Sequence, residues 1–138
     1  MIKNMKNEIQ LLINSPDIFK VINYHQERTG ISSSECRGRF EGLVEFLRLF
    51  LDDPKVRRVA SEPVDDLWHD FLTFTETYER LCLKVAGNFV HHVPATTVPP
   101  SGYFQTRTEL EKRVGSLNQL IWPLKERAQW SEGYVTGR

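Results

Sequence analysis

Between Val64 and Pro94 the chain carries Asp65, Trp68, His69, Thr75, Tyr78, Cys82, Gly87, His91 and His92. Three of its four histidines and one of its two cysteines fall in this segment. These residue types can hold a transition metal, because zinc takes three or four Cys, His, Asp or Glu ligands that converge on one point. Asp65 and His69 stand four residues apart, so a helix puts them on one face. There the carboxylate could orient a metal-bound imidazole or simply form a surface pair. Cys82, His91 and His92 form the other group. On an unbroken helix His69 and Cys82 lie roughly 20 Å apart at about 1.5 Å per residue, too far to share an ion. From a helix end near Ala86 the chain can bring His91 and His92 back to Cys82, but not to His69. Two zinc arrangements follow. One is Cys82, His91 and His92, completed by a distant residue such as Cys36 or His25; the other is a separate pair, Asp65 and His69. Plainer roles compete with both: Cys82 as a small core hydrophobe, and His91 and His92 as partners of helix C-terminal carbonyls.

Other chemistries find less in the sequence. Cys82 with a neighbouring histidine could form a thiolate pair, yet it lies in the middle of an apolar stripe, and reactive thiols sit in polar, partly exposed settings. The chain has no Gly-rich phosphate loop and no HExxH motif. Lys55, Arg57 and Arg58, and the cluster Lys112, Arg113, Lys125 and Arg127, could meet phosphates. Acids interleave with the second cluster and no aromatic platform accompanies it, so solvated helix faces explain these bases better than nucleic acid does.

The elements that must position these residues read as helices. The chain has 138 residues, 40% of them hydrophobic, enough for one core. Lys+Arg and Asp+Glu balance at 18 each, so no global field draws the chain to nucleic acid or an anionic membrane. No run is long and apolar enough to span a bilayer, and the first residues lack the apolar core of a signal peptide, so a soluble cytoplasmic protein with free thiols is expected. Residues 5–13 form a short helix; Ser15, Pro16 and Asp17 start a second, which Gly30 closes. Ser32 and Glu35 suggest a capping box before an amphipathic helix through Phe40, Leu43, Val44 and Leu47, stopped before Pro54. Residues 55–60 link to a helix that Ser61, Glu62 and Pro63 begin and that runs to about Ala86, the expected central helix. Residues 93–104, rich in proline, read as a loop. Thr106 and Glu109 open a last helix, kinked at Pro123 and continuing toward Trp130. The sequence therefore predicts an all-α, compact single-domain helical bundle of about five helices over residues 1–130, with a flexible C-terminal tail over 131–138.

Asp65, Trp68 and His69, followed by Phe71, Thr75, Tyr78, Cys82, Gly87, His91, His92 and Pro94 at these intervals, resemble the glycine-rich domain-containing protein family, which includes plant proteins and short bacterial and phage proteins. The second histidine that some members carry two positions after the first is Phe71 here, and the glycine-rich tail of the plant proteins is absent. The resemblance implies a shared helical module with no assigned reaction, and the company of short phage and bacterial proteins implies a host-interaction or inhibitor role. Together these readings predict a non-enzymatic accessory protein that binds a protein partner, with Val98, Tyr103 and Phe104 in the proline-rich loop as its contact surface. The alternative is a zinc-binding domain or metal-dependent hydrolase built on His69, Cys82, His91 and His92.

Overall fold

The computed structural model describes residues 2–94, 100–124 and 131–136. Within them the chain folds as α1 (Ile2–Ile13), α2 (Pro16–Thr29), α3 (Ser33–Asp52), β1 (Arg58–Ala60), α4 (Glu62–Thr73), α5 (Thr75–Val85), β2 (His91–Pro94), α6 (Pro100–Val114) and β3 (Ser131–Tyr134). The expectation of an all-α bundle of about five helices is thus met in its helical content and corrected in detail. Six helices among the described residues pack with a small three-stranded sheet.

Local chemistry explains most helix ends. Pro16 takes the first turn of α2, where its missing N–H costs nothing, and Gly30 closes the helix at φ 74° with its N–H on the Gln26 carbonyl. The Ser32 side chain accepts from Glu35 N, one half of the expected capping box. The Glu35 carboxylate turns instead to Arg39, four residues on. Ser61 accepts from Val64 N and donates to the Ile121 carbonyl at 2.6 Å, so one hydroxyl caps α4 and ties it to the turn after α6.

The expected helix from Ser61 to Ala86 is two helices. Trp68 Nε1 donates to the Tyr78 hydroxyl at 2.9 Å, whereas ten residues of straight helix would separate them by about 15 Å. The break sits at Phe74, φ −103° and ψ 69°. No glycine or proline marks it. Thr73 on one side donates its hydroxyl to the Asp70 carbonyl, the back-bonding that bends helices, and the Phe74 ring leaves the helix line to meet Tyr24 edge to face at 5.7 Å. The bend lets α5 fold back against both α3 and α4.

The central helix is α3 rather than the one expected from the Trp68 segment. It buries Phe40, Leu43, Val44, Phe46, Leu47, Leu49 and Phe50 and touches α2, α4, α5 and α6. Phe46 meets Trp68 edge to face at 5.2 Å. A polar network anchors α4 to α2 and α3 across this core. Buried His25 pairs through Nδ1 with Asp70 at 2.6 Å, Arg39 reaches His25 Nε2 at 3.0 Å and Asp66 at 3.0 Å, and Arg28 joins Asp70 to Asp66.

Ser131–Tyr134, expected to begin a flexible tail, is the middle strand of the sheet, antiparallel to β1 and to β2. Its pairing fixes Gly133 opposite both Arg58 and His92. A Cβ at Gly133 would stand 3.0 Å from Trp68, 3.1 Å from Val90 and 3.2 Å from Phe50, so glycine lets the strand lie on this core without pressing on those three buried side chains. The last helix also starts earlier than expected, at Pro100. Thr106 and Glu109, expected to cap it, hold β1 instead: Thr106 Oγ1 accepts from Val59 N at 3.0 Å, and Glu109 receives both arms of the buried Arg58 guanidinium at 2.9 and 2.8 Å. Gly115, at φ 88°, follows α6, and the expected continuation through Pro123 is a turn over residues 116–124. None of the helices in the described residues is long and apolar enough to cross a membrane.

Candidate metal centre

Helix α4 carries two rows of polar residues one turn deep. Asp66 and Asp70 point to Arg28, Arg39 and His25. Asp65 and His69, the neighbouring row, face away from those bases. His69 Nε2 lies 3.3 Å from Asp65 Oδ2, and His92 Nε2 from β2 lies 2.8 Å from Asp65 Oδ1. One ligand atom from each of the three residues falls within 4.8 Å of the others. The ion-pair partners of Asp65 among the described residues are these two imidazoles, with no arginine or lysine.

Two features put His92 there. In a strand, successive side chains point to opposite faces, so His91 and His92 cannot both turn to one point. His92 turns toward α4, its ring perpendicular to Trp68 at 4.6 Å and to His69 at 4.5 Å. His91 turns to the other side, stacked on Tyr134 at 5.0 Å and against Phe89 at 4.9 Å. The height of β2 is then set by a buried relay. Trp68 Nε1 donates to the Tyr78 hydroxyl, which donates in turn to the Val90 carbonyl at 2.5 Å, two residues before His92. Trp68, Tyr78 and Val90 are all buried. Trp68 therefore shapes the site twice, through its ring against His92 and through its indole N–H.

The sequence-predicted sets are regrouped. The expectation that the histidines after Gly87 reach Cys82 but not His69 assumed a straight helix; the bend at Phe74 removes that separation, and His92 meets His69 and Asp65. Cys82 stays apart from this group. It is fully buried beside the Tyr78 hydroxyl and the Val90 backbone, and burial pushes its thiol up to about 11, so it is a protonated core residue at neutral pH. Cys36 is likewise buried and free, its Sγ 3.4 Å from the Ile22 carbonyl. His25 serves the α2–α4 network. Of the expected contact surface, Tyr103 is a core residue whose hydroxyl donates to the Pro123 carbonyl at 2.7 Å, Phe104 is half-buried against its ring, and Val98 lies outside the described residues. Sequence reasoning missed the Trp68–Tyr78–Val90 relay, although the ten-residue interval was in plain view, because its meaning depends on the bend.

Asp65, His69 and His92 suit zinc. Zinc–ligand bonds of about 2.0–2.2 Å at tetrahedral angles separate ligand atoms by about 3.3–3.5 Å; His92 and His69 approach Asp65 to 2.8 and 3.3 Å, each on a different carboxylate oxygen, and one ligand atom from each of the three residues lies within 4.8 Å of the others. The burial is graded: the His92 and Asp65 side chains are 9% and 16% exposed and His69 is 55% exposed. One side of the triad is therefore packed on the core and the other faces water. The family model described as UCP032817-like matches residues 9–113, a span that includes all three residues. The chain belongs to this family. That match overturns the resemblance to the glycine-rich domain-containing proteins read from the Trp68 to Pro94 motif. Among curated proteins and among solved structures, nothing matches the chain.

Proposed function

We propose that this protein binds a divalent transition metal, zinc by its ligand chemistry, through Asp65, His69 and His92. The observation that carries the reading is Asp65, a carboxylate joined by two imidazoles from separate elements while the next carboxylate row on the same helix takes the arginines. A set of three nitrogen and oxygen ligands with an exposed side leaves a position for water, the pattern of reactive zinc sites; structural sites close with four protein ligands. Bound there, zinc would act as a Lewis acid that makes a hydroxide at neutral pH. The His92 imidazole lies 2.8 Å from Asp65 Oδ1, so an ion held by both would stand in place of that direct contact. Tyr103, expected at a partner-binding surface, is buried and is not offered as a binding residue.

Cobalt(II) titration tests the proposal without assuming a substrate. Wild-type protein should develop the visible absorption of a four- or five-coordinate nitrogen and oxygen site and lose it to added zinc. His69→Ala, a substitution at an exposed side chain that leaves the core untouched, should not. A featureless titration of the folded wild type would refute the site.

A further inference from the structure

Strand β2 runs past the metal centre as an outer strand of the sheet, pairing with β3 alone among the described residues. The direction of its hydrogen bonds follows from the far side of the sheet. The Val59 N–H goes to Thr106 Oγ1, so it does not face β3. Backbone bonds of an antiparallel pair alternate, which gives Arg58 and Ala60 the bonds to Gly133 and Ser131. Glu132 and Tyr134 then turn to β2 and bond to Val93 and His91. The N–H and C=O of His92 are left pointing out of the sheet at its open edge. The Val90 carbonyl, two residues back, points the same way, and there the Tyr78 hydroxyl donates to it at 2.5 Å.

The open edge is therefore short. The Val90 carbonyl is taken, Pro94 has no N–H, and His92 between them keeps both groups. A strand laid antiparallel on this edge makes one full residue pair, with the residue opposite His92. The side chain of that residue stands on the same face of the sheet as the His92 imidazole, with Cβ atoms about 5.5 Å apart. On that face lie Asp65 and the 55% exposed His69, so the three ligands leave their fourth position on the water side. Two backbone hydrogen bonds add little net binding in water, and a metal bond from the same residue supplies the rest.

We infer that the metal centre is completed by a protein partner: an extended segment that pairs with the edge of β2 and places a histidine, cysteine, aspartate or glutamate opposite His92 as the fourth ligand. The inference rests on the metal reading above and names the partner of that same site, because the backbone edge and the open coordination position meet at one residue. The metal gives affinity and the His92 pair gives register. With the segment in place the ion has four protein ligands, the closed pattern of a structural zinc; without it the fourth position holds water.

The probe is a capped seven-residue peptide of threonine and valine with one central histidine, added to the full chain loaded with cobalt(II). It should shift and strengthen the cobalt absorption saturably at submillimolar concentration, as a nitrogen replaces water. The same peptide with alanine for histidine should leave the spectrum unchanged. A version N-methylated at its histidine keeps the imidazole but loses the bond to the His92 carbonyl, and should bind at least about fivefold more weakly. In the zinc-loaded protein, hydrogen exchange followed by NMR should find the His91 and Val93 amides protected throughout and the His92 amide protected only with the histidine peptide. A chain that takes up no cobalt refutes the metal centre itself. A cobalt-loaded chain whose spectrum no peptide changes, equal binding of the N-methylated peptide, or a His92 amide that still exchanges freely overturns the partner alone. So does a zinc-dependent dimer in sedimentation equilibrium, which would put a second copy on this edge.

Discussion

Replacing Tyr78 with phenylalanine removes a single oxygen atom and should damage both the fold and the metal centre. The hydroxyl accepts from Trp68 Nε1 and donates to the Val90 carbonyl. Trp68 and Val90 are fully buried, and no water can reach the groups left behind. An unsatisfied buried donor or acceptor costs about 1–3 kcal/mol, so the pair should cost about 3 kcal/mol in total. For a chain of this length that corresponds to a fall in Tm of roughly 10 °C. The ring itself stays and keeps its edge-to-face contact with Phe89 at 5.3 Å, so cavity formation does not enter. Urea unfolding should show the loss as a lower midpoint with an unchanged slope, the sign of a stability change without a change in compactness. The same variant should bind zinc about 10–100-fold more weakly, the usual consequence of loosening a group behind a ligand, because Val90 no longer fixes the start of β2. A loss under about 1 kcal/mol with unaltered zinc affinity would refute the relay as the device that positions His92.

Two further outcomes follow from the fold. Gly133→Ala should destabilise by about 1–3 kcal/mol, since its methyl would press on Trp68, Val90 and Phe50 at 3.0–3.2 Å; a urea midpoint equal to wild type would show that β3 does not lie on this core. His25 should make the protein acid-sensitive. Burial holds its imidazole below the ordinary histidine value despite Asp70, and protonation would set a second N–H against Arg39. A folded value depressed below the unfolded one means that the unfolded chain binds the proton first. Stability is therefore full above about pH 6.5 and is lost as pH falls through the lower folded value. Urea midpoints at pH 8 and pH 5.5 should differ in that direction, and His25→Asn should flatten the difference; a wild type more stable at pH 5.5 would contradict the assignment.

The sequence carried the helix punctuation well wherever a residue acts on its own neighbourhood. Pro16 and Gly30 bound α2, Ser32 starts α3, Ser61 starts α4, and the stop before Pro54 falls where expected. What it concealed depends on partners distant in the chain. Strands of three and four residues are too short for any alternation to show, and β3 is specified by what lies on either side of it, above all by the need for Gly133 to clear Trp68. The bend at Phe74 has only the flanking threonines as a local trace. That one omission sent His92 to the wrong partner: with a straight helix it belongs near Cys82, and with the bend it belongs with Asp65 and His69. The residue types of the metal centre were thus legible, and their grouping was not.

Elemental analysis of untagged protein, equilibrated with zinc and freed of excess, decides whether Asp65, His69 and His92 hold an ion when four variants are measured beside the wild type: His69→Ala, His92→Ala, His91→Ala and Cys82→Ala. About one zinc per chain should be found in the wild type, retained in His91→Ala and Cys82→Ala and lost in His69→Ala and His92→Ala. A wild type that holds no zinc, or one whose zinc leaves with His91 or Cys82 while surviving the loss of His69, would contradict it.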